Sequence, residues 1–336
     1  MRILLTGGSA CGKSTFAEAL AMQLGSPRYY LATMRPYGEE SLLKIAEHRK
    51  ARRQKNFETI EQEVDIGKAE FPSNAIVLLE CLCNLVANEL FDEDGAVDEG
   101  AYQRVYDSVV SLEDRAAHYL VVTNDVGSGT AASYDNTTHR YVELLGRLNA
   151  ELASRFEVVC ELVAGIPVVL KDESQADTSS FEQLLAQIHT KGESPFVPKS
   201  SKSSQPQDCN RCSDRSVKGD DGTMMLVIGG GGAGKLTYVR SLGYSDEQLA
   251  NALLDERPVI YNLQDLVAAS VAEAPALLEA LLAKEVVVCD EVGSGVIPGV
   301  QVEREAREAT GRLCSQLAQQ AHTVVRLIAG IPIRIK

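Results

Sequence analysis

Near the start of the chain stands the run Gly7-Gly8-Ser9-Ala10-Cys11-Gly12-Lys13-Ser14, preceded by an apolar segment and followed by a segment of helical character. Its spacing, G-x-x-x-x-G-K-S, is that of a P-loop, in which successive backbone N–H groups surround phosphate oxygens at a helix N-terminus. In this pattern Lys13 reaches the β- and γ-phosphates, and Ser14 offers its hydroxyl to Mg²⁺. A glycine-rich turn without a ligand is the alternative, and the strand–loop–helix context disfavours it. The run therefore predicts a binding site for a nucleoside triphosphate.

Length and composition indicate a folded protein of two domains. The chain has 336 residues, of which 45% are hydrophobic, enough for two cores. A formal net charge of −14 argues against nucleic acid or an anionic membrane as the main partner. No apolar run approaches the roughly 18 residues that span a bilayer, and no signal peptide is evident, so we expect a cytoplasmic protein. The eight cysteines are scattered, several within apolar runs, which fits reduced thiols better than a disulfide framework.

Residues 1–171 alternate β-prone runs with helical segments. Predicted strands cover residues 3–5, 29–33, 75–79, 119–123, 158–163 and 166–171. Predicted helices follow the P-loop and cover residues 39–53, 81–118 and about 138–155. This order predicts an α/β fold of the P-loop NTPase type, with an open, mainly parallel sheet and helices on both faces.

Glu80 ends one of the predicted strands. An acidic side chain at the carboxyl end of a parallel strand lies where such folds bind ligands, so Glu80 is a candidate to hold Mg²⁺ or to accept a proton from a substrate hydroxyl. The structural alternative is that it caps the following helix.

The chain then repeats its opening. Residues 226–235 repeat the P-loop, displaced by 222 positions from Lys13 to Lys235. Residues 287–295 and 327–336 repeat two later segments of the first copy, in the same order. The spacing between Lys13 and Gly127 is 114 positions, whereas that between Lys235 and Gly293 is 58, so the second copy is shorter by 56 residues. The fold is therefore predicted to be duplicated, with a reduced second copy.

A linker is predicted between the copies. Residues 199–222 are rich in Ser, Lys, Asp and Gln and have almost nothing to bury. We therefore expect a first domain over 1–171, a linker over 172–222 with a possible short helix at 179–189, and a shortened repeat over 223–336. The lone C-x-x-C of Cys209 and Cys212 is half of a zinc site at best, and coincidence is the favoured interpretation.

The motifs of residues 1–171 together resemble the bifunctional adenosylcobinamide kinase/adenosylcobinamide-phosphate guanylyltransferase family of cobalamin biosynthesis. No single motif suffices, but the ordered set is specific. In chain order the shared motifs are Thr6 to Ser14, Tyr30-Leu31-Ala32-Thr33, Ile45-Ala46-Glu47-His48-Arg49 with Arg52, Phe57-Glu58-Thr59-Ile60-Glu61, Leu78-Leu79-Glu80-Cys81-Leu82, Asn124 to Gly129, Gly146 with Asn149, and Ala164-Gly165-Ile166-Pro167.

The resemblance implies an enzyme with two activities at one P-loop. Such enzymes phosphorylate adenosylcobinamide with ATP or GTP, then transfer GMP from GTP to the new phosphate through a guanylylated histidine, here His48. Without the resemblance, His48 would be read as part of a solvated helix face. The implied catalytic residues are His48, Lys13 and Glu80, and the implied Mg²⁺ ligands are Ser14 and Glu80. The implied nucleotide-binding residues are Gly7, Gly8, Ser9, Ala10, Cys11, Gly12, Lys13, Ser14, Arg52, Glu61 and Glu80.

Two departures from the family pattern leave other functions open. Phe57 stands in place of the family's tryptophan, and Thr130-Ala131-Ala132 in place of Ile-Val-Pro after the Gly127 turn. One alternative is therefore a P-loop small-molecule kinase without guanylyltransferase activity. Another is a nucleotide-binding scaffold without turnover.

The second copy lacks the residues that chemistry needs. Leu236 replaces Ser14, and alignment places Tyr261 at the position of Glu80. Its segment Gly293-Ser294-Gly295-Val296-Ile297-Pro298, however, matches the family pattern more closely than the corresponding segment of the first copy does. The two copies are thus complementary. We expect a homo-oligomer, or an in-chain pseudo-oligomer in which residues 223–336 pack against residues 1–171.

Overall fold

The computed structural model describes residues 1–36, 55–92, 95–126, 134–174, 180–190 and 224–336. The predicted helix over residues 39–53, with His48 and Arg52, lies outside the described residues. So do Cys209 and Cys212. The described part of the chain contains no helix long and apolar enough to cross a membrane.

The first copy forms a seven-stranded sheet in the order β3-β2-β4-β5-β1-β6-β7. All neighbouring strands are parallel except β7, which pairs antiparallel with β6. The predicted open, mainly parallel sheet is confirmed. The strands are β1 Arg2–Gly7, β2 Arg28–Ala32, β3 Phe57–Glu61, β4 Ile76–Glu80, β5 His118–Val122, β6 Val158–Val163 and β7 Ile166–Asp172.

Helices cover both faces of this sheet. Alternate residues of each strand point to opposite faces, and each set is buried in its own core. Leu4 and Val121 pack with the helices of one face, and Ile3 and Leu120 with those of the other. The single helix predicted over residues 81–118 is two helices, joined by a segment that includes Gly95 and Gly100. The helices are α1 Lys13–Leu24, α2 Leu82–Leu90, α3 Ala101–Glu113, α4 Asn136–Arg155 and α5 Phe181–Thr190, with a 3₁₀ turn at Ile66–Lys68.

Helix α5 belongs to the first copy rather than to a linker. Its apolar side chains Phe181, Leu184 and Ile188 are buried in the same core as Phe16 and Leu20 of α1. A helix buried in this way cannot be a free connection. The first copy therefore extends to at least residue 190, beyond the boundary predicted at 171.

The second copy has a six-stranded sheet in the order β13-β12-β8-β11-β10-β9. This is the order of the first sheet without a counterpart of β3, which accounts for part of the missing length. Its strands are β8 Met225–Gly229, β9 Leu249–Asn251, β10 Val259–Tyr261, β11 Val286–Asp290, β12 Thr323–Ile328 and β13 Ile331–Arg334. Its helices are α6 Lys235–Ser241, α7 Leu263–Ala269, α8 Leu278–Leu282 and α9 Gln301–Gln320, with 3₁₀ segments at Asp246–Gln248 and Val271–Leu277.

The two copies pack against each other. Val163 and Ile166, on the β6–β7 hairpin of the first copy, are buried in the core cluster of the second copy rather than in their own. Beside them, the guanidinium of Arg326 donates to both carboxylate oxygens of Glu161, at 2.8 and 2.9 Å, and lies 3.1 Å from Glu291. Apolar burial and a partly buried ion cluster thus join the copies.

Candidate active site

The P-loop has the backbone that its glycines predict. Gly7 has φ 135° and Gly12 has φ 93°, and Ala10 also lies in the left-handed region at φ 57°. A Cβ on Gly7 would lie 2.5 Å from the carbonyl oxygen of Leu162 on β6, so only glycine fits where β1 enters the loop. This curled backbone leads into the N-terminus of α1, where N–H groups and the helix dipole favour phosphate.

Lys13 is buried and lies across its own loop. Its ammonium donates to the carbonyl oxygens of Gly7, at 3.0 Å, and Gly8, at 2.6 Å. These contacts hold the charge above the loop, where a bound phosphate would lie.

Ser14 and Glu80 are brought together from two elements. The Ser14 hydroxyl, on the first turn of α1, donates to Glu80 Oε1 at 2.6 Å. Burial raises the pKa of Glu80 to about 7, although the Ser14 hydrogen bond opposes the shift. Glu80 Oε2 is buried and has no hydrogen-bond partner among the described residues. A hydroxyl and a carboxylate with an unsatisfied oxygen are oxygen ligands of the kind Mg²⁺ takes, so the residues present fit that ion.

Glu61 also lies at the carboxyl edge of the sheet. Ala32, at the end of β2, pairs in register with Glu61 of β3 on one side and with Glu80 of β4 on the other. Because neighbouring strands are about 4.8 Å apart, the two glutamates are separated by about 10 Å across β2. Glu61 therefore flanks the P-loop site rather than joining the Ser14–Glu80 pair.

Thr33 stabilises the carboxyl edge of the sheet through hydrogen bonds that the sequence does not predict. Its hydroxyl donates to the carbonyl oxygen of Cys81 at 2.8 Å and accepts from the Cys81 N–H at 2.9 Å. These bonds tie the end of β2 to the residue that follows Glu80. The available signal was the motif Tyr30-Leu31-Ala32-Thr33, which marks the end of a strand without assigning Thr33 a partner.

Phe57 does not lie at the phosphate edge. It begins β3, four residues before Glu61, and is therefore about 13 Å from that edge. Its ring packs edge-on against Tyr30 at 6.2 Å. Among the described residues, the replacement of the family's tryptophan at this position therefore bears on core packing.

The P-loop of the second copy repeats the backbone but not the chemistry. Gly229, Gly232 and Gly234 take positive φ at the positions of Gly7, Ala10 and Gly12. The Lys235 ammonium, however, lies 2.5 Å from Asp290 Oδ1, an ion pair where the first copy has Asn124.

The second site also lacks counterparts of Ser14 and Glu80. Leu236 occupies the Ser14 position, and strand pairing puts Tyr261 where the first copy has Glu80. A neutralised lysine without a metal-binding pair is poorly suited to a triphosphate.

A loop of the second copy rests on the P-loop of the first. The Ser9 N–H donates to the carbonyl oxygen of Gly293 at 2.7 Å. The approach is so close that a Cβ on Gly293 would lie 2.7 Å from the Ser9 carbonyl oxygen, and one on Gly311 would lie 3.0 Å from Ala10 Cβ. Arg307 of α9 holds this loop by donating to the carbonyl oxygens of Gly293, Gly295 and Val296.

The structure therefore brings together Lys13, Ser14 and Glu80, with the loop residues from Gly7 to Gly12. His48 and Arg52 lie outside the described residues, as do residues 127–133. The contacts of Gly293 and Gly311 were not assigned from sequence.

Comparison with known proteins identifies the family. A family model described as cobinamide kinase / cobinamide phosphate guanyltransferase matches residues 3–170 and again residues 225–335. The bifunctional adenosylcobalamin biosynthesis protein CobU of Escherichia coli (strain K12) is 32% identical over 184 residues, which are 51% of this chain and 100% of that protein. The bifunctional adenosylcobalamin biosynthesis protein CobP of Pseudomonas aeruginosa is 32% identical over 176 residues, 52% of this chain and 99% of that protein.

Among solved structures, the flagellar accessory protein FlaH from Methanocaldococcus jannaschii aligns with a TM-score of 0.29 and 11% identity, over 51% of this chain and 78% of that chain. A likeness at this level supports no conclusion. The family model, by contrast, covers both copies, and the curated relatives are matched over all or nearly all of their length. The chain therefore belongs to the cobinamide kinase / cobinamide phosphate guanyltransferase family.

Proposed function

We propose that the first copy phosphorylates adenosylcobinamide with ATP or GTP and then transfers GMP from GTP to adenosylcobinamide phosphate, giving adenosyl-GDP-cobinamide. The observation that carries this proposal is the hydrogen-bonded, partly buried Ser14–Glu80 pair at the P-loop, in a segment that matches the family model. The second copy takes no part in the chemistry, because Asp290 neutralises Lys235 and Leu236 replaces the serine.

In the kinase step the P-loop N–H groups and Lys13 bind the triphosphate and stabilise the charge that moves onto the leaving phosphates. Ser14 and Glu80 are the residues that would hold Mg²⁺, which would supply further charge neutralisation. Glu80 serves this step by holding the ion or by accepting the proton of the attacking hydroxyl. Because burial raises its pKa to about 7, the carboxyl is partly ionised near neutral pH, as a general base requires.

In the guanylyl step a ring nitrogen of His48 attacks the α-phosphorus of GTP. The bond from that phosphorus to the bridging oxygen breaks, and pyrophosphate leaves with its charge balanced by Lys13. A phosphate oxygen of adenosylcobinamide phosphate then attacks the same phosphorus, the P–N bond breaks, and His48 is released as a neutral imidazole. A neutral imidazole is nucleophilic near neutral pH without a separate base. Arg52 and Glu61 complete the proposed nucleotide site.

Two other functions differ from this one in their observable products. A kinase without guanylyl transfer is favoured by Phe57 in place of the family's tryptophan and by the altered segment Thr130-Ala131-Ala132. A binding scaffold would leave the Ser14–Glu80 pair without a role.

The test is intact-mass analysis after incubation with GTP and Mg²⁺. We expect the wild-type chain to gain one acid-labile guanylyl group, and His48→Asn to gain none. His322→Asn, a histidine of the second copy, is the matched control and should be labelled like the wild type. Undiminished labelling of the His48 variant would remove His48 from the mechanism, and ATP-dependent phosphorylation without any adduct would favour the kinase alone.

A further inference from the structure

Asn124 and Asp290 occupy the same place in the two copies. Asn124 follows β5 and Asp290 ends β11, and each of these strands is the parallel neighbour of the strand that enters its P-loop. The next residue along the chain makes the same hydrogen bond in both copies. Its N–H donates to the carbonyl oxygen of the first P-loop glycine, at 3.2 Å for Gly7 and 3.0 Å for Gly229. The two side chains therefore start from equivalent positions beside equivalent loops.

The lysines of the two P-loops are also placed alike. The ammonium groups of Lys13 and Lys235 each donate to the carbonyl oxygens of the first two glycines of their own loop, at 3.0 and 2.6 Å in both copies. Both lysines are buried. Because the loop backbone and the lysine agree, the two sites differ in what lies next to the ammonium.

The neighbouring side chain carries a charge in one copy and none in the other. Asp290 Oδ1 lies 2.5 Å from the Lys235 ammonium. Lys13, by contrast, forms no ion pair with any residue that the structure describes, and the position of Asp290 is taken by the neutral amide of Asn124. Aspartate and asparagine have the same shape and reach. A carboxylate at position 124 would therefore contact Lys13 as Asp290 contacts Lys235.

From this comparison we infer that Asn124 determines triphosphate binding by the first P-loop, because its neutral side chain leaves the Lys13 ammonium available to the β- and γ-phosphates. A carboxylate at this position would compete with phosphate for the same N–H donors and would repel it as a like charge. Asn124 acts through Lys13, so it is a positioning residue rather than a catalytic one. The inference rests on the part of the proposed function that places a triphosphate in this loop.

The competing interpretation is that Asn124 serves only the turn after β5. Its backbone is held on both sides, since its N–H donates to Cys83 Sγ at 3.2 Å and its carbonyl oxygen accepts from Asn149 Nδ2 at 3.2 Å. These two bonds use main-chain atoms of Asn124 and are therefore retained when its side chain is exchanged. Substitution at this position consequently tests the charge of the side chain with the turn kept in place.

The test measures equilibrium binding to the full chain, in the presence of Mg²⁺, of a GTP analogue with a methylene bridge between the α- and β-phosphorus. Guanylyl transfer cannot cleave this bridge, so binding is observed without turnover. Asn124→Asp, which keeps the shape of the side chain and adds a charge, should raise the dissociation constant at least about 30-fold. Asn124→Ser, which changes the shape and stays neutral, should bind within about 3-fold of the wild type.

Asn74→Asp is the matched control and should bind like the wild type. It adds the same charge at an exposed residue before β4, at the opposite edge of the same sheet. An equal loss in this control would indicate a general effect of charge and would overturn the inference. An equal loss in Asn124→Ser would do the same, because the amide itself would then be required.

Unchanged or tighter binding by Asn124→Asp would also overturn the inference, the tighter binding because the new carboxylate would then serve Mg²⁺. The proposed function fails in a different way. A wild-type chain that does not bind the analogue would overturn both proposals. A wild-type chain that binds the analogue but gains no guanylyl group from GTP would overturn guanylyl transfer alone.

Discussion

At the level of single residues, Glu80 links the stability of the protein to pH. Its pKa rises from 4.5 to about 7 because the carboxyl is buried, so the folded chain retains a proton that the unfolded chain releases between these values. Stability conferred by the neutral form is complete below pH 4.5 and is lost as pH rises through 7. Glu80→Gln removes this loss. We expect the variant to be more stable than the wild type by up to about 3 kcal/mol at pH 8, and similar to it at pH 4.

Denaturant unfolding of both proteins at the two pH values measures this difference. Glu70→Gln, at an exposed glutamate, is a suitable control for the loss of a carboxylate from the surface. A stability difference between Glu80→Gln and the wild type that is the same at pH 4 and pH 8 would contradict the shifted pKa of Glu80.

The two P-loop lysines should behave differently although their backbones match. Lys13→Ala should lower both proposed activities by on the order of 100-fold or more, because each step needs the triphosphate that this ammonium binds. Lys235→Ala should leave both nearly unchanged, because Lys235 is paired with Asp290 in a copy without counterparts of Ser14 and Glu80. Kinase and guanylyltransferase assays of both variants decide the matter. Equal losses in the two would refute a silent second copy.

At the level of elements, the sequence predicts the buried strands and misses the polar or short ones. Strands β4 and β6 consist mainly of apolar residues, and the predicted bounds agree with the structure to within one residue. Strand β3 reads Phe-Glu-Thr-Ile-Glu and lies at the sheet edge, where polar side chains cost little, so its pattern did not predict a strand. The three residues of β9 are too few to carry a pattern.

The candidate site likewise has a part that the sequence predicts and a part that it does not. Lys13 and Ser14 lie in one contiguous motif, and Glu80 ends an obvious strand, so the sequence places all three. Gly293 is 280 positions from Lys13, and its contact with Ser9 depends on how two folded units meet. No local pattern encodes such a contact. The sequence indicated only that this loop of the second copy matches the family pattern more closely than the corresponding loop of the first copy.

The loop that contains Gly293 supplies a prediction at this scale. A Cβ at Gly293 would lie 2.7 Å from the Ser9 carbonyl oxygen, so Gly293→Ala must displace the P-loop backbone. Because misplacement of about 1 Å can cost about 100-fold in rate, we expect GTP turnover to fall by roughly 10- to 100-fold. Gly299→Ala, in the same loop with no atom within 4 Å, is the control and should be neutral. Turnover by Gly293→Ala equal to that of the control would show that this contact does not shape the site.

At the level of the whole molecule, duplication places a loop of the second copy against the P-loop of the first within one chain. The loop held by Arg307 lies on Ser9, and the hairpin residues Val163 and Ile166 complete the core of the second copy. Each copy therefore contains apolar surface that only the other covers. This arrangement explains why a copy without catalytic residues remains well packed.

The integrity of this arrangement should not depend on the connecting chain. If a protease site is introduced near Ser204 and cut, we expect the two halves to elute as one particle and to keep GTP turnover, because the contact itself holds them. Arg326→Ala should change this outcome after cutting, since Glu161 and Glu291 would then face each other without a cation. Removing one partner of such a cluster costs about 3–5 kcal/mol, enough to weaken the association of the cut halves on the order of 100-fold or more. The uncut Arg326→Ala chain is the control and should remain a single active species. Separation of the cut wild-type halves at micromolar concentration would mean that the linker, rather than the contact, keeps the copies together.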